Sequence, residues 1–293
     1  MSFIDDGMAA LHLGGFDEAA ELFRRAIDAA DNEADRALAT MGLAAIDVLK
    51  HRRDPDLRVF RENIMRRHSP QHVAVAAYYL TIAAVDADDR EAATRYLPVL
   101  LGAVRETGDP VWTAIGYDVA AGAESIRGNH IAAIEYGRVA LAATEECPER
   151  DRLFLLVTVA HNLAYNCLAA NEHEDAVLYA ESAVAVAEAT HYPEIGQLLI
   201  TAAFAYLCRE RLDDAIAHIE RAEPMVAGTY LEKYGHYLRG EIARRRGDLA
   251  EAARHFKRLE VLYPGIPTLT DMLLSMNLAP VPTSGVVECG GGM

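Results

Sequence analysis

The segment His68-Ser69-Pro70-Gln71-His72 sets two imidazoles four residues apart, a spacing that on an unbroken helix presents two nitrogens to one metal ion. Pro70 stands between them and interrupts a regular helix, and no third ligand lies nearby in sequence. The segment therefore reads as a loop rather than a metal site. The acidic stretches around Asp86–Asp89 and Glu145–Asp151 lack calcium-loop spacing. Cys147, Cys167, Cys208 and Cys289 form no C-x-x-C pair, and Cys167 and Cys208 fall inside apolar runs where a thiol serves as a small hydrophobe. The sequence carries no phosphate-cradling Gly loop, nucleophile elbow or dinucleotide fingerprint. This inventory favours recognition over catalysis, so no enzymatic activity, cofactor or metal is expected.

Composition narrows the kind of recognition. With 28 Lys and Arg against 44 Asp and Glu, the formal charge is −16, which disfavours nucleic acid as a partner. From Lys50 to Arg67 seven basic residues face three acids, and from Lys233 to Arg258 eight face three. Between them, from His68 to Glu232, ten Arg face 25 acids and no Lys occurs. An acidic middle of this kind is either a solvated surface or a steering field for a cationic partner. The 52% hydrophobic content is rich in Ala and only 7% aromatic, which suits closely packed helices. The longest apolar stretch, Leu153 to Ala170, contains His161, Asn162 and Asn166, which argues against a membrane span. The first residues, MSFIDDGMAALHL, carry acids where a secretory leader carries bases, and a cytoplasmic protein is expected.

The elements that position these residues repeat. An Ala or its stand-in follows a Gly, Asn or acidic turn position by five residues at Ala19, Asp56, Ala93, Ala133, Ala176, Ala215 and Ala252, in steps of 37, 37, 40, 43, 39 and 37. Twelve residues before each anchor stands a small residue: Gly7, Ala44, Thr81, Ala121, Ala164, Ala203 or Gly240. Such a period predicts seven helical hairpins stacked on one another, each helix pair closing through its small residues. Repeat two is the irregular one, with Asp56 as anchor and His51-Arg52-Arg53-Asp54-Pro55 as turn, although Phe60 keeps the large apolar position seen at Phe23 and Phe256. The array is expected over 1–264. A capping helix is expected over 265–278, where Leu269, Met272, Leu273 and Met276 would cover the open end. A flexible Pro/Gly-rich tail is expected over 279–293.

The segments from His161 to Ala176 and from Gly240 to Ala252, followed by Phe256 and Pro264, resemble the tetratricopeptide repeat. The resemblance covers about residues 3 to 264 and implies an all-α, right-handed superhelical solenoid. The steps exceed the family's usual length, and in this the chain is similar to long-repeat bacterial regulator arrays. These include the sensory repeats of maltose-regulator-like proteins and of intracellular peptide-pheromone receptors.

The resemblance also implies where a partner lies, on exposed inner positions 18, 15, 14 and 11 residues before each anchor. These give Tyr78 (with Tyr79 and Ile82), Asp118, Thr158, His161, Asn162, Tyr165, Thr201, Phe204, Tyr234, Tyr237 and Glu241. Hydroxylated rings, amides and carboxylates suit a peptide groove. Asn162 is either a peptide contact or a bond to a neighbouring helix. The Lys, Asn and Arg set with which some members of the family grip a C-terminal carboxylate is missing. Asp118 and Glu241 would instead prefer Lys, Arg or an N-terminal amine. The expected partner is a cationic or apolar protein or peptide segment, bound by a non-enzymatic scaffold. One alternative is a regulatory receptor for a small signalling peptide. Another is a scaffold whose tail around Cys289 is processed or modified.

Overall fold

The computed structural model describes residues 3–12, 15–50, 56–192 and 194–263, together with Thr268 and Met272. Among these residues the chain is all-α, without strands. It forms two compact units that part between Arg127 and Gly128. The first contains α1 (Phe3–His12), α2 (Phe16–Ala29), α3 (Glu33–Leu49), α4 (Arg58–Arg66), α5 (Pro70–Asp86), α6 (Arg90–Thr107) and α7 (Pro110–Ile126). The second contains α8 (His130–Thr144), α9 (Glu149–Ala169), α10 (His173–Thr190), α11 (Ile195–Cys208), α12 (Leu212–Val226), α13 (Glu232–Arg245) and α14 (Leu249–Leu262). Within each unit every helix packs on the next. The odd-numbered helices also touch in sequence: α1, α3, α5 and α7 in the first unit, α9, α11 and α13 in the second.

The sequence period is visible as backbone geometry. Five residues before an anchor the chain turns through a left-handed residue at Asp88, Gly128, Asn171, Glu210 and Gly247. The next helix then starts, and its anchor lies in the first turn: Ala93, Ala133, Ala176, Ala215 and Ala252 are all buried. Glycine meets the left-handed requirement without strain, whereas Asp88 and Glu210 adopt it at a cost of about 1–2 kcal/mol each. The opposite turns carry their own stop and start signals. Arg67, Gly108 and His191 end α4, α6 and α10 in left-handed conformation, while Ser69 and Asp109 cap α5 and α7 just ahead of Pro70 and Pro110. Pro70 thus begins a helix rather than breaking one.

In the first and last repeats the small residue twelve positions before the anchor receives a ring rather than the anchor Ala alone. A Cβ on Gly7 would stand 2.8 Å from the Phe23 ring, and one on Gly240 2.7 Å from the Phe256 ring. Each ring lies four residues after its anchor, so these two hairpins close by laying a phenyl against bare helix backbone.

Repeat two departs from the expected register. Asp56 is exposed and precedes α4, where its carboxylate accepts from the Arg58 amide (3.0 Å) and guanidinium (2.6 Å). It cannot be a packing anchor, because the helix it was meant to open starts two residues later. Ala44 is only half-buried, and the tight approach is at Gly42, whose Cβ would lie 2.4 Å from the Phe23 ring of the preceding hairpin. Phe60 does fill the core as expected, against Tyr79 at 5.5 Å between ring centroids.

Gly14 of the first turn, the His51–Pro55 turn, most of the expected cap and the tail with Cys289 lie outside the described residues. Met272 is fully buried in the core of the second unit, and its N–H donates to the Thr268 carbonyl at 3.0 Å.

Candidate functional site

The odd-numbered helices carry every candidate residue, and three of them are buried on all sides. Each residue is buried from His72 to Ile82 of α5, from Val157 to Leu168 of α9 and from Gly196 to Leu207 of α11. Their sequences explain this closure. Ala, Gly and Thr recur along them, so neighbouring helices approach closely and larger side chains from one fill the gaps left on the next.

In the first unit, α5 and α7 bring Tyr78 edge-to-face with Trp112, ring centroids 6.0 Å apart, and with Tyr79 at 5.0 Å. Burial, Asp118 and Asp86, in that order, hold the Tyr78 phenol well above its usual range. Asp118 and Asp86 are half-buried. The result is a small aromatic cluster in a negative field, in which a neutral phenol hydroxyl stays available as a hydrogen-bond donor at any ordinary pH.

In the second unit the candidates form two packed groups. The first is polar: His161 Nε2 and Thr201 Oγ1 are 2.9 Å apart, and Thr201 Oγ1 donates to the Gln197 carbonyl at 3.3 Å. Both contacts hold together when His161 carries its proton on Nε2, giving the relay His161 N–H to Thr201 O–H to Gln197 C=O. His161 Nδ1 then keeps a buried lone pair without a partner. Burial lowers the His161 pKa to about 4, so this imidazole is neutral at physiological pH. The second group is aromatic. Phe204 stacks on Tyr237 at 6.0 Å and meets Tyr234 edge-on at 6.3 Å, and Tyr237 in turn reaches Phe256 at 6.5 Å. Tyr165 joins them, its phenol pushed up first by burial and then by Tyr234.

These positions were expected to be exposed, and the structure corrects that expectation. Thr201, Phe204 and Tyr234 have no exposed surface, and Tyr78, Thr158, His161, Asn162, Tyr165, Tyr237 and Glu241 are buried. Asp118 alone among them is half-buried rather than buried. Thr158 Oγ1 donates to the Phe154 carbonyl within its own helix (3.2 Å), and Asn162 also has an interaction within the protein. Glu241 is not open to a cationic partner. Arg244 and Arg245, three and four residues on, hold its carboxylate at 2.7 and 2.9 Å.

The same holds for the basic flank from Lys233 to Arg258. Each of its arginines meets an acid: Arg239 with Glu223, Arg244 and Arg245 with Glu241, Arg246 with Asp213, Arg254 with Glu251 and Arg258 with Glu232. Several such pairs link successive repeats, as do Arg209 to Glu174 (2.9 Å) and Arg245 to Glu210 (2.5 Å). In the His68–His72 pair, His72 is likewise occupied. His72 Nδ1 meets Ser69 Oγ and its Nε2 meets the Ala34 carbonyl, both at 2.8 Å. Among the described residues no group of three or more His, Cys, Asp or Glu could hold a metal ion, and no helix is long and apolar enough to cross a membrane.

Two features escaped the sequence reading. Trp112 lies 21 residues before its anchor, outside the inner positions taken from the shorter family repeat. His236 and His255 meet across the last hairpin, at a separation of 19 residues that the repeat pattern alone does not mark.

No protein-family model matches this sequence, and no curated protein does. Solved structures do match. The apo form of RapI is 8% identical, with a TM-score of 0.68 over 92% of this chain and 78% of that one. Aspartyl phosphate phosphatase F from Bacillus subtilis is 16% identical, with a TM-score of 0.57 over 89% and 73%. A Rap protein complexed with competence and sporulation factor is 11% identical, with a TM-score of 0.52 over 89% and 96%. At such identities the likeness is one of fold: an all-α helical repeat of the tetratricopeptide type.

Proposed function

We propose that the chain is a non-enzymatic binding scaffold that recognises a peptide or protein segment, with the partly exposed Asp86 and Asp118 beside the buried Tyr78–Trp112 cluster of the first unit receiving a basic residue. The observation that carries this reading is the joint action of Asp86 and Asp118 on one aromatic cluster. A Lys or Arg head brought to these two carboxylates would gain the field of both. The net charge of −16 would steer such a segment toward the chain before contact. A regulatory receptor for a small signalling peptide is the second reading. It is supported by the fold shared with a Rap protein that was solved in complex with a factor.

Trp112 is the sole tryptophan, so its emission reports this cluster directly. Titration with a Lys/Arg-rich peptide should change that emission saturably, and an acidic peptide of equal length should not. Asp118→Asn and Asp86→Asn should each weaken the basic peptide by roughly two- to fivefold, the value of a half-exposed charge pair of about 0.5–1 kcal/mol. If both variants bind the basic peptide as tightly as the unsubstituted chain, or if emission is indifferent to basic and acidic peptides alike, the reading fails.

A further inference from the structure

The last hairpin contains a pair of imidazoles that the binding reading does not use. His236 of α13 and His255 of α14 face each other through their Nδ1 atoms at 3.1 Å, ring centroids 5.4 Å apart. Each ring has a glutamate at its far nitrogen. His255 Nε2 lies 3.0 Å from Glu251 Oε1, and His236 Nε2 lies 3.5 Å from Glu232 Oε1. Both residues are half-buried.

The protons can be assigned from these distances. Two Nδ1 atoms at 3.1 Å need one hydrogen between them. A carboxylate only accepts, so the 3.0 Å contact requires the His255 proton on Nε2, leaving its Nδ1 as acceptor. His236 is then the Nδ1–H tautomer, with a bare Nε2. That agrees with its longer 3.5 Å separation from Glu232, whose other oxygen accepts from the Gly228 N–H at 2.9 Å. A first added proton goes to His236 Nε2, where it meets Glu232 and disturbs nothing. A second can only go to His255 Nδ1. It sets two N–H groups head to head at 3.1 Å and two positive rings side by side.

We infer that His236 and His255 form a proton-counting latch, which holds α13 against α14 with zero or one added proton and opens the hairpin with two. The groups facing the pair are Glu232 and Arg239 of α13, Glu251, Arg254 and Arg258 of α14, and Glu223 of α12. The arginines are themselves tied to acids. Burial, then neighbouring positive charge, lowers both imidazoles, the direction a latch of this kind needs. Folded pKa values below the usual one mean that the closed state is favoured above the ordinary histidine range and lost as pH falls through the lowered values.

The test uses the full chain in the presence of a chelator, so that no metal substitutes for the shared proton. Imidazole 15N shifts at high pH should show His236 as the Nδ1–H and His255 as the Nε2–H tautomer. On acidification the two rings should titrate in separated steps. Amide exchange in α13 and α14, corrected for its intrinsic pH dependence, should quicken by about tenfold per pH unit across the second step, while α10 and α11 stay protected. In His255→Gln, His236 should titrate in one step and that acceleration should vanish. Independent single-site titration of the two rings in the unsubstituted protein would overturn the latch, as would exchange that ignores the second step. Both of those readouts stand even if the variant does not fold.

Discussion

His161 offers a direct measure of how far the candidate helices are sealed from water. Its ring is 3% exposed, its Nε2 is committed to Thr201 and its Nδ1 has no partner. Burial takes its pKa from 6.5 to about 4. In the unfolded chain the same ring keeps its ordinary value, so below pH 6.5 the unfolded state binds the proton that the folded state refuses. Stability from this residue is therefore complete above pH 6.5 and is lost as pH falls toward 4. The difference of 6.5 and 4, at about 1.4 kcal/mol per unit, is worth about 3 kcal/mol. The perturbation is His161→Leu, which keeps an apolar side chain in the cavity and leaves Thr201 its bond to the Gln197 carbonyl. Urea unfolding followed by circular dichroism at pH 7, 6, 5 and 4 gives the two profiles. Hydrogen exchange in α9 and α11 localises the difference. The unsubstituted chain should lose about 3 kcal/mol more than the variant between pH 7 and pH 4, with the other histidines contributing equally to both. Parallel profiles would show that the ring is solvated in the folded chain, and the sealed-helix description of α9 and α11 would be wrong.

Two further predictions test the repeat geometry. Gly247→Ala forces a Cβ into the left-handed turn before α14 and should cost about 1–2 kcal/mol, whereas Asp88→Gly at the equivalent turn should stabilise by about 1 kcal/mol. Thermal melts decide this, and equal signs for the two would refute the shared turn geometry. Gly240→Ala drives a methyl into the Phe256 ring and should cost about 1–3 kcal/mol. Pairing it with Phe256→Leu should recover part of that loss, and a melt that is unchanged by Gly240→Ala would show that the ring does not seat on that helix.

The repeat was legible because it rests on local chemistry. A left-handed residue five positions before a buried Ala is a backbone requirement, and Gly128, Asn171 and Gly247 announce it by type. Asp88 and Glu210 do not, and only their place in the period gave them away. Repeat two was misread because its pattern was extended over a turn of different length, so Asp56 fell ahead of the helix rather than within it. The candidate residues do lie on the first helix of each hairpin, but their exposure could not be read. Whether Phe204 faces water depends on how closely α11 approaches α9 and α13, which the small residues on all three helices decide together. Glu241 shows the same limit for charge: its sequence position suggested an open carboxylate, while Arg244 and Arg245 on the same helix already consume it.

That closure changes how recognition on these helices can be probed. If Phe204, Tyr234 and Tyr237 stood on an open surface, truncation to Ala would remove contacts with a partner and little else. Because they are stacked on one another inside the second unit, the same truncation opens a cavity worth about 3–5 kcal/mol per ring. Loss of binding would then report loss of fold. Substitutions that keep volume and change one polar atom separate the two effects. Tyr78→Phe removes the hydroxyl that feels the Asp118 charge and keeps the ring against Trp112. Thr201→Val removes the middle of the His161 relay and keeps the packing. A binding defect in Tyr78→Phe with an unchanged melt would assign the hydroxyl to recognition. A shifted melt with unchanged binding would assign it to the core. The buried polar atoms are therefore a sharper handle on function here than the larger rings around them.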